Sequence, residues 1–364
     1  MSPGEPAAGV SVIPSAAAPA RADGMRRAFR EATKAHPGAL SVEEYVFAGR
    51  PVRLRIVGRR LAERTHRAFA HLRRDGAPAA RPFYIDVWDE SETGGQVLPQ
   101  AAAMELDRRW VACDGTLTAS PDGRYVSFRY EESVTLLDRQ EQSMISCRRS
   151  GSHLSTGDCS KPYVLMLSIW YHDRGVQLLH AGLVAHERGG LLLPGASGTG
   201  KSTAALAAVT QGLDFLGDDF VGLERVDGGA FRGHSIFSTV CLTRQTLARF
   251  AEVRPHAVED SFEVEDKPIV YVSELYPARI RDTVPIRAVV LLSKGHARTE
   301  ITPARRADAL RAFAASTLHT VVPRPGREAL DRLAALVERV PAYWLRLGPR
   351  LEDIGPSLSA IAST

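Results

Sequence analysis

No run of apolar residues in the chain approaches the roughly 20 that a helix needs to cross a bilayer, so the sequence offers no membrane span. Cysteine is sparse. Cys113, Cys147, Cys159 and Cys241 are the four in 364 residues, with no C-x-x-C pair and no histidine partners at zinc spacing. That argues against a disulfide framework and a structural zinc, and leaves reduced thiols in a cytoplasmic protein. An excess of one charge is also missing, since 46 Lys and Arg stand against 42 Asp and Glu, a net of +4. The balance calls for no nucleic-acid partner, although the many arginines could gather into a local patch for anions. Lysine itself is scarce. Met1–Asp23 lacks both the basic start and the apolar core of a secretory signal. It is rich in Ala, Pro and Ser, and residues 1–40 read as a disordered leader. No internal repeat recurs at a fixed period.

What is present concentrates in Gly190–Leu223, GLLLPGASGTGKSTAALAAVTQGLDFLGDDFVGL. Leu191–Leu193 has the character of a buried strand. Gly195 to Ser202 then completes the pattern G-x-x-x-x-G-K-[ST], and Thr203–Gln211 reads as an Ala- and Leu-rich helix stopped by Gly212. Gly195, Gly198 and Gly200 let the backbone bend close to an anion. Their amides, those of Ser197 and Thr199, and the positive end of the helix then face a polyphosphate. Lys201 sets a point charge on the phosphates, and Ser202, followed by Thr203, can complete a Mg²⁺ shell. The competing reading, a plain glycine-rich turn, is disfavoured by the complete motif in a strand–loop–helix context. ATP and Mg²⁺ are therefore the expected cofactors.

Leu213–Leu216 is a short β-like run ending in Gly217-Asp218-Asp219, only 17 residues beyond Lys201. Two carboxylates at a strand end suit two tasks: one holds Mg²⁺, and the other takes a proton from an attacking hydroxyl. Asp218 is assigned to the metal and Asp219 to the proton, an assignment the residues leave reversible. Upstream, His180 sits in the apolar strand Val176–Ala185, where a lone histidine is more often a satisfied core residue.

These residues resemble the catalytic core of the HPr kinase/phosphorylase family, which shares its nucleotide site with phosphoenolpyruvate carboxykinases. The likeness rests on His180-Ala-Gly-Leu-Val-Ala185, Gly195–Ser202, Thr203–Gln211 and Asp218-Asp219, with weaker likeness in Val284–Lys294 and Pro341–Ile361. Thr203 stands where HPr kinases usually have Glu. Phe231-Arg-Gly-His-Ser-Ile-Phe-Ser-Thr239 occupies roughly the place of their Glu-Ile-Arg-Gly signature. The chain is thus more similar to the diverged HPr-kinase-like group, which includes kinases of serine in lasso-peptide precursors. The resemblance implies an α/β fold with a phosphate-loop core over residues 160–364, preceded by a smaller mixed α/β or mainly β domain over 41–150. It also implies that His180 supports the catalytic aspartate beside Lys201. The expected activity is ATP- and Mg²⁺-dependent phosphorylation of a serine hydroxyl in a protein or peptide. A kinase for free serine, or a regulatory module that binds ATP without catalysis, are the alternatives. Neither a nucleic acid nor a membrane is expected as partner, and a homo-oligomer is left open.

Elsewhere the signals are weaker. Gly24–Lys34 reads as a short basic helix, and Leu61–Arg74 as an amphipathic one in which His66 has a surface or interfacial place. Cys147–Lys161 reads as a polar linker, followed by an apolar helix to His172. Ser235–Leu242 reads as a strand and Thr243–Phe250 as a helix, and Arg232 and His234 could touch phosphate or substrate. Ala251–Pro268 resembles a flap, with Asp266-Lys267 offering a second cation for the phosphates. Strands and helices alternate after residue 160, as in an α/β layer architecture.

Overall fold

The computed structural model describes residues 17–76, 81–95, 108–112, 115–130, 132–259, 267–317 and 327–363. The chain divides into two compact units. Residues 1–42, 54–61 and 83–151 form the first, and 43–53, 62–82 and 152–364 the second. The fold is mixed α/β. Among the described residues no helix is long and apolar enough to cross a membrane, and Cys147, Cys159 and Cys241 are free thiols.

The first unit opens with a correction. Part of the leader read as disordered is helix α1 (Ala17–Ala35). Its Ala18, Ala22, Met25 and Phe29, spaced at one helical face, are buried against Trp88, Tyr125, Val134 and Leu136. Small alanines carry much of that face, so its composition looks like a polar tail while its periodicity is that of a packed helix. The sheet beneath contains β1 (Leu40–Phe47) and β2 (Arg50–Val57), each of which has part of its length in the second unit, and β3 (Phe83–Asp89), β4 (Arg108–Ala112), β5 (Gly115–Ala119), β6 (Tyr125–Tyr130), β7 (Ser133–Asp138) and β8 (Ser143–Arg148). Their order is β1-β2-β3-β8-β7-β6-β5-β4. β3 and β8 are parallel, and the run from β8 back to β4 is an antiparallel meander.

The boundary expected near residue 150 is therefore crossed by two earlier segments. Residues 43–53 and 62–82 belong to the second unit, where Tyr45, Phe47 and Phe69 (at the end of helix α2, Arg59–Phe69) build an aromatic cluster with Trp170, Tyr171 and Phe237. Burying several large rings in one place contributes more than local chain continuity.

The second unit is built on β9 (Val176–His186), β10 (Gly189–Pro194), β11 (Asp214–Gly217), β12 (Phe220–Arg225), β13 (Phe231–His234) and β16 (Thr283–Lys294), with the small hairpin-like pair β14 (Thr239–Cys241) and β15 (Ile269–Tyr271) beside them. The pairing closes on itself, because β10 joins β9 on one side and β16 on the other, while β9, β12, β13 and β16 follow one another round the ring. From β16 the sheet runs on through β18 (Ala342–Leu347) to β17 (Glu300–Pro303). Helices cover two faces. Helix α5 (Lys201–Thr210) and α8 (Ile354–Ser363) pack on Leu191 and Leu193, whereas α6 (Arg306–Thr317) and α7 (Arg327–Arg339) pack on Leu192. A strand buried on both faces has no polar side, which is why β10 reads as an unbroken apolar run. Two further elements, α3 (Thr156–Ser160) and α4 (Val164–His172), precede β9 in the segment expected to start as a linker. The strand read over Ser235–Leu242 is confined to Thr239–Cys241, and the helix after it to Arg244–Leu247 with Thr243 as its N-cap.

Candidate functional site

The loop Gly195–Gly200 leaves the end of β10 and enters α5 at Lys201. Gly195 has φ 150°, and a Cβ there would stand 2.8 Å from Thr199 Oγ1. Only glycine allows that turn, in which Thr199 Oγ1 donates to the Ala196 carbonyl at 2.9 Å. Gly198 and Gly200 also have positive φ, Gly200 as the residue that caps α5. Ser197 and Gly198 are exposed at the loop tip, whereas Lys201 is 3% exposed. Its ammonium donates to the carbonyls of Gly195 at 2.9 Å and Ala196 at 3.3 Å. The first amides of α5 have no partner within the helix, and such a helix start suits a phosphate.

The paired aspartates stand where two strands on one edge of β9 meet. β11 pairs with residues 183–185 of β9 and β12 with residues 176–180, and the chain kinks between them. Phe220 N donates to the Asp218 carbonyl at 2.8 Å, and Asp219 adopts φ 64°, a left-handed conformation that costs about 1–3 kcal/mol in a residue with a side chain. The kink sends the two carboxylates into different surroundings. Asp218 is fully buried, and neither carboxylate oxygen has a hydrogen-bond partner among the described residues. The Ser202 hydroxyl is close enough to act on its charge but outside hydrogen-bond geometry. Burial, followed by the charge of Asp219, pushes the Asp218 carboxyl up to about 7. The Asp219 side chain keeps 23% of its surface open and lines a cleft of about 310 Å³. Burial works to raise it as well, but Lys161, His180 and Lys201 hold its carboxylate well below the usual range.

His180 is placed by pairing with Phe220 across β9 and β12, their rings stacked 5.4 Å apart, and by its amide donating to Thr317 Oγ1 at 3.1 Å. His180 Nε2 lies 3.4 Å from Asp219 Oδ1, and Lys201 Nζ lies 3.8 Å from the same oxygen. Lys201, Ser202, Asp218, Asp219 and His180 thus share one locus, with Thr203 on the cleft wall. Lys161 joins them unforeseen, its ammonium 2.7 Å from Asp219 Oδ2. Burial alone would lower Lys161, and the neighbouring carboxylate more than reverses that, keeping it protonated. Lys294, the last residue of β16, also lines the cleft, as does the anticipated Lys267. Asp266 lies outside the described residues.

The chain has five lysines among its 46 Lys and Arg residues, and four of them, Lys161, Lys201, Lys267 and Lys294, line this one cleft. Among the described lining residues every cation is a lysine. In so arginine-rich a chain this partition was the signal that could have found Lys161 and Lys294. Arg232 and His234 do not reach the cleft. His234 is buried on Glu224 at 3.0 Å, and Arg50 takes the other oxygen of that carboxylate at 3.1 Å. His66 is likewise structural, hydrogen-bonded to Tyr45 Oη at 2.7 Å, and burial lowers it to about 4.

Among the described residues no three His, Cys, Asp or Glu side chains gather as a metal cage. A hard cation that keeps phosphate and water ligands needs fewer protein groups. The unpartnered oxygens of Asp218 near the Ser202 hydroxyl fit Mg²⁺ of that kind. No family model matches the chain, and no curated protein does. Among solved structures it is similar to the Hpr(Ser) kinase/phosphatase from Coxiella burnetii, at 11% identity over 51% of this chain and 94% of that one, with a TM-score of 0.30. That likeness is too distant to bear on function, for which the site geometry has to speak.

Proposed function

We propose that the second unit is a phosphate-loop kinase that binds Mg-ATP and transfers the γ-phosphoryl group to a serine hydroxyl of a protein or peptide. The supporting observation is the meeting of Lys201 and Ser202, at the start of α5, with Asp218 and Asp219, at the kink between β11 and β12. Lys201 and the loop amides would hold the donor phosphates and offset charge in a loose transition state. Access favours one division of labour between the aspartates. Asp218, buried and unpartnered, suits Mg²⁺ together with Ser202, and the cation would supply charge neutralisation when bound. Asp219 faces the cleft and is the carboxylate that an acceptor hydroxyl can reach. Its low proton affinity is no obstacle, since the acceptor oxygen keeps its proton until late in a loose transfer.

The test is transfer of label from γ-³²P-ATP with Mg²⁺ to candidate peptides and to free serine, with Lys201→Ala and Asp219→Asn run beside the wild type. Labelled peptide from wild type alone is the expected result. Label on free serine alone would make the protein a small-molecule kinase. ATP binding without transfer or hydrolysis would favour a regulatory module, and absence of ATP binding would end the reading.

A further inference from the structure

The three groups around Asp219 are not equivalent. Lys161 Nζ donates to Oδ2 at 2.7 Å, the short distance of a charge-assisted hydrogen bond. Oδ1 faces His180 Nε2 at 3.4 Å and Lys201 Nζ at 3.8 Å, both too long for a strong one. Lys201 is tied instead to the carbonyls of its own loop. One oxygen of Asp219 is therefore taken, and the other retains capacity to accept a proton.

Lys161 is also presented rigidly. It follows α3, which opens with a reciprocal capping box between Ser155 and Asp158. The preceding residue, Ser160, is fully buried, and its carbonyl accepts from Thr239 Oγ1 at 2.7 Å. Two residues on, Tyr163 turns the chain through φ 59° into α4. The ammonium lies 5.9 Å from the centre of the Phe220 ring, the ring that also stacks on His180. A left-handed Asp219 has little intrinsic preference for its pose, so its direction has to be fixed from outside.

We propose that Lys161 is the positioning residue of this site: it clamps Asp219 through Oδ2 and so presents Oδ1 alone to the acceptor hydroxyl. The inference rests on the kinase reading. In the step it serves, the acceptor oxygen bonds to the γ-phosphorus of the nucleoside triphosphate as the bond to the β–γ bridging oxygen breaks. That electron pair leaves with the diphosphate, and the hydroxyl proton passes to Asp219 Oδ1. Lys161 acts on the carboxylate, and Lys201 acts on the donor.

Water serves as the acceptor in the test, so no acceptor need be known. The full chain is assayed for Mg-ATP hydrolysis, with ATP affinity measured separately by calorimetry. Lys161→Met is expected to lower kcat about 10²-fold, with KM and Kd for ATP within twofold of wild type. Lys161→Arg should recover part of that loss. Because Lys161→Met strands a buried carboxylate and could unfold, the double variant Lys161→Met/Asp219→Asn removes both charges. Its kcat should equal that of Asp219→Asn within twofold. A tenfold weaker Kd for ATP in Lys161→Met would make Lys161 a donor-binding cation and overturn the proposal. So would losses that multiply in the double variant. Wild type that binds ATP but neither hydrolyses nor transfers it would instead overturn the kinase reading, and the Kd comparison would still test whether Lys161 belongs to the donor.

Discussion

Asp218→Asn should stabilise the metal-free protein while removing its response to Mg²⁺. The fully buried Asp218 titrates near 7 in the folded chain against an ordinary 3.8, because burial and the adjacent Asp219 both oppose its charge. At pH 8 both folded and unfolded chains carry the carboxylate ionised, and the folded state bears the whole cost. A displacement of about three pH units corresponds to about 4 kcal/mol, and sharing of that displacement with Asp219 sets a range of about 2–4 kcal/mol. As pH falls through 7 the folded state takes up the proton and the cost shrinks, until it is gone near 3.8. Asparagine carries no such cost. In chelator-containing buffer, urea unfolding should therefore find Asp218→Asn more stable than wild type by that amount at pH 8, and by about 1–2 kcal/mol at pH 5. The same variant should bind ATP equally with and without Mg²⁺, whereas wild type gains affinity from the cation. An advantage independent of pH would refute the argument, since a gain in packing alone has no reason to titrate.

Four further outcomes follow from particular contacts. Gly195→Ala forces a Cβ to within 2.8 Å of Thr199 Oγ1 at φ 150°, and calorimetry should show ATP affinity lowered by about tenfold or more; wild-type affinity would remove the tight-turn argument. Phe29→Ala on α1 empties a site that is 3% exposed and should cost about 3 kcal/mol in urea unfolding, whereas a change under about 0.5 kcal/mol would detach α1 from the core. His66, lowered to about 4 by burial, favours its neutral form when folded, so stability present above pH 6.5 should fall as pH drops towards 4, by about 3 kcal/mol at most. His66→Gln should flatten that slope, and an equal slope in both proteins would assign the acid sensitivity elsewhere. Lys294→Arg should weaken ATP binding, since Lys294 Cδ lies 3.4 Å from where a Cβ on Gly200 would stand and a wider guanidinium has little room beside the loop; unchanged affinity would mean that charge alone matters there.

Features of the site that arise within a short stretch of chain are legible in the sequence. The strand, loop and helix around Lys201 are consecutive, and each has a local cause: two-faced burial for β10, backbone freedom at Gly195, and alanine-rich propensity for α5. Asp218 and Asp219 were legible as a pair. Their different fates were not, because these depend on how β11 and β12 share one edge of β9. The aromatic cluster that draws residues 43–53 and 62–82 into the second unit is equally non-local. Helix α1 was legible only in its second half, Gly24–Lys34, and its first turns were not, because their buried positions Ala18 and Ala22 are alanines, which hydropathy hardly registers.

Lys161 shows where such a reading could be sharpened. Its immediate neighbours, Cys159-Ser-Lys-Pro162, carry no motif, and the polar stretch Cys147–Lys161, with its Gly, Ser and Asp, reads as a linker. Composition nevertheless held information about it. In a chain that meets nearly every need for positive charge with arginine, each lysine marks a position where a planar five-donor fork does not serve and a compact ammonium does. Lys161 meets one carboxylate oxygen at 2.7 Å, and Lys201 curls onto two carbonyls of its own loop. Both are point contacts in confined space rather than bidentate ones. Four of five lysines fall in one cleft, the distribution such a selection would give if the cleft takes the phosphates proposed above. The rarity of a residue type, set against the abundance of its nearest chemical substitute, is therefore a signal in the sequence independent of spacing and periodicity.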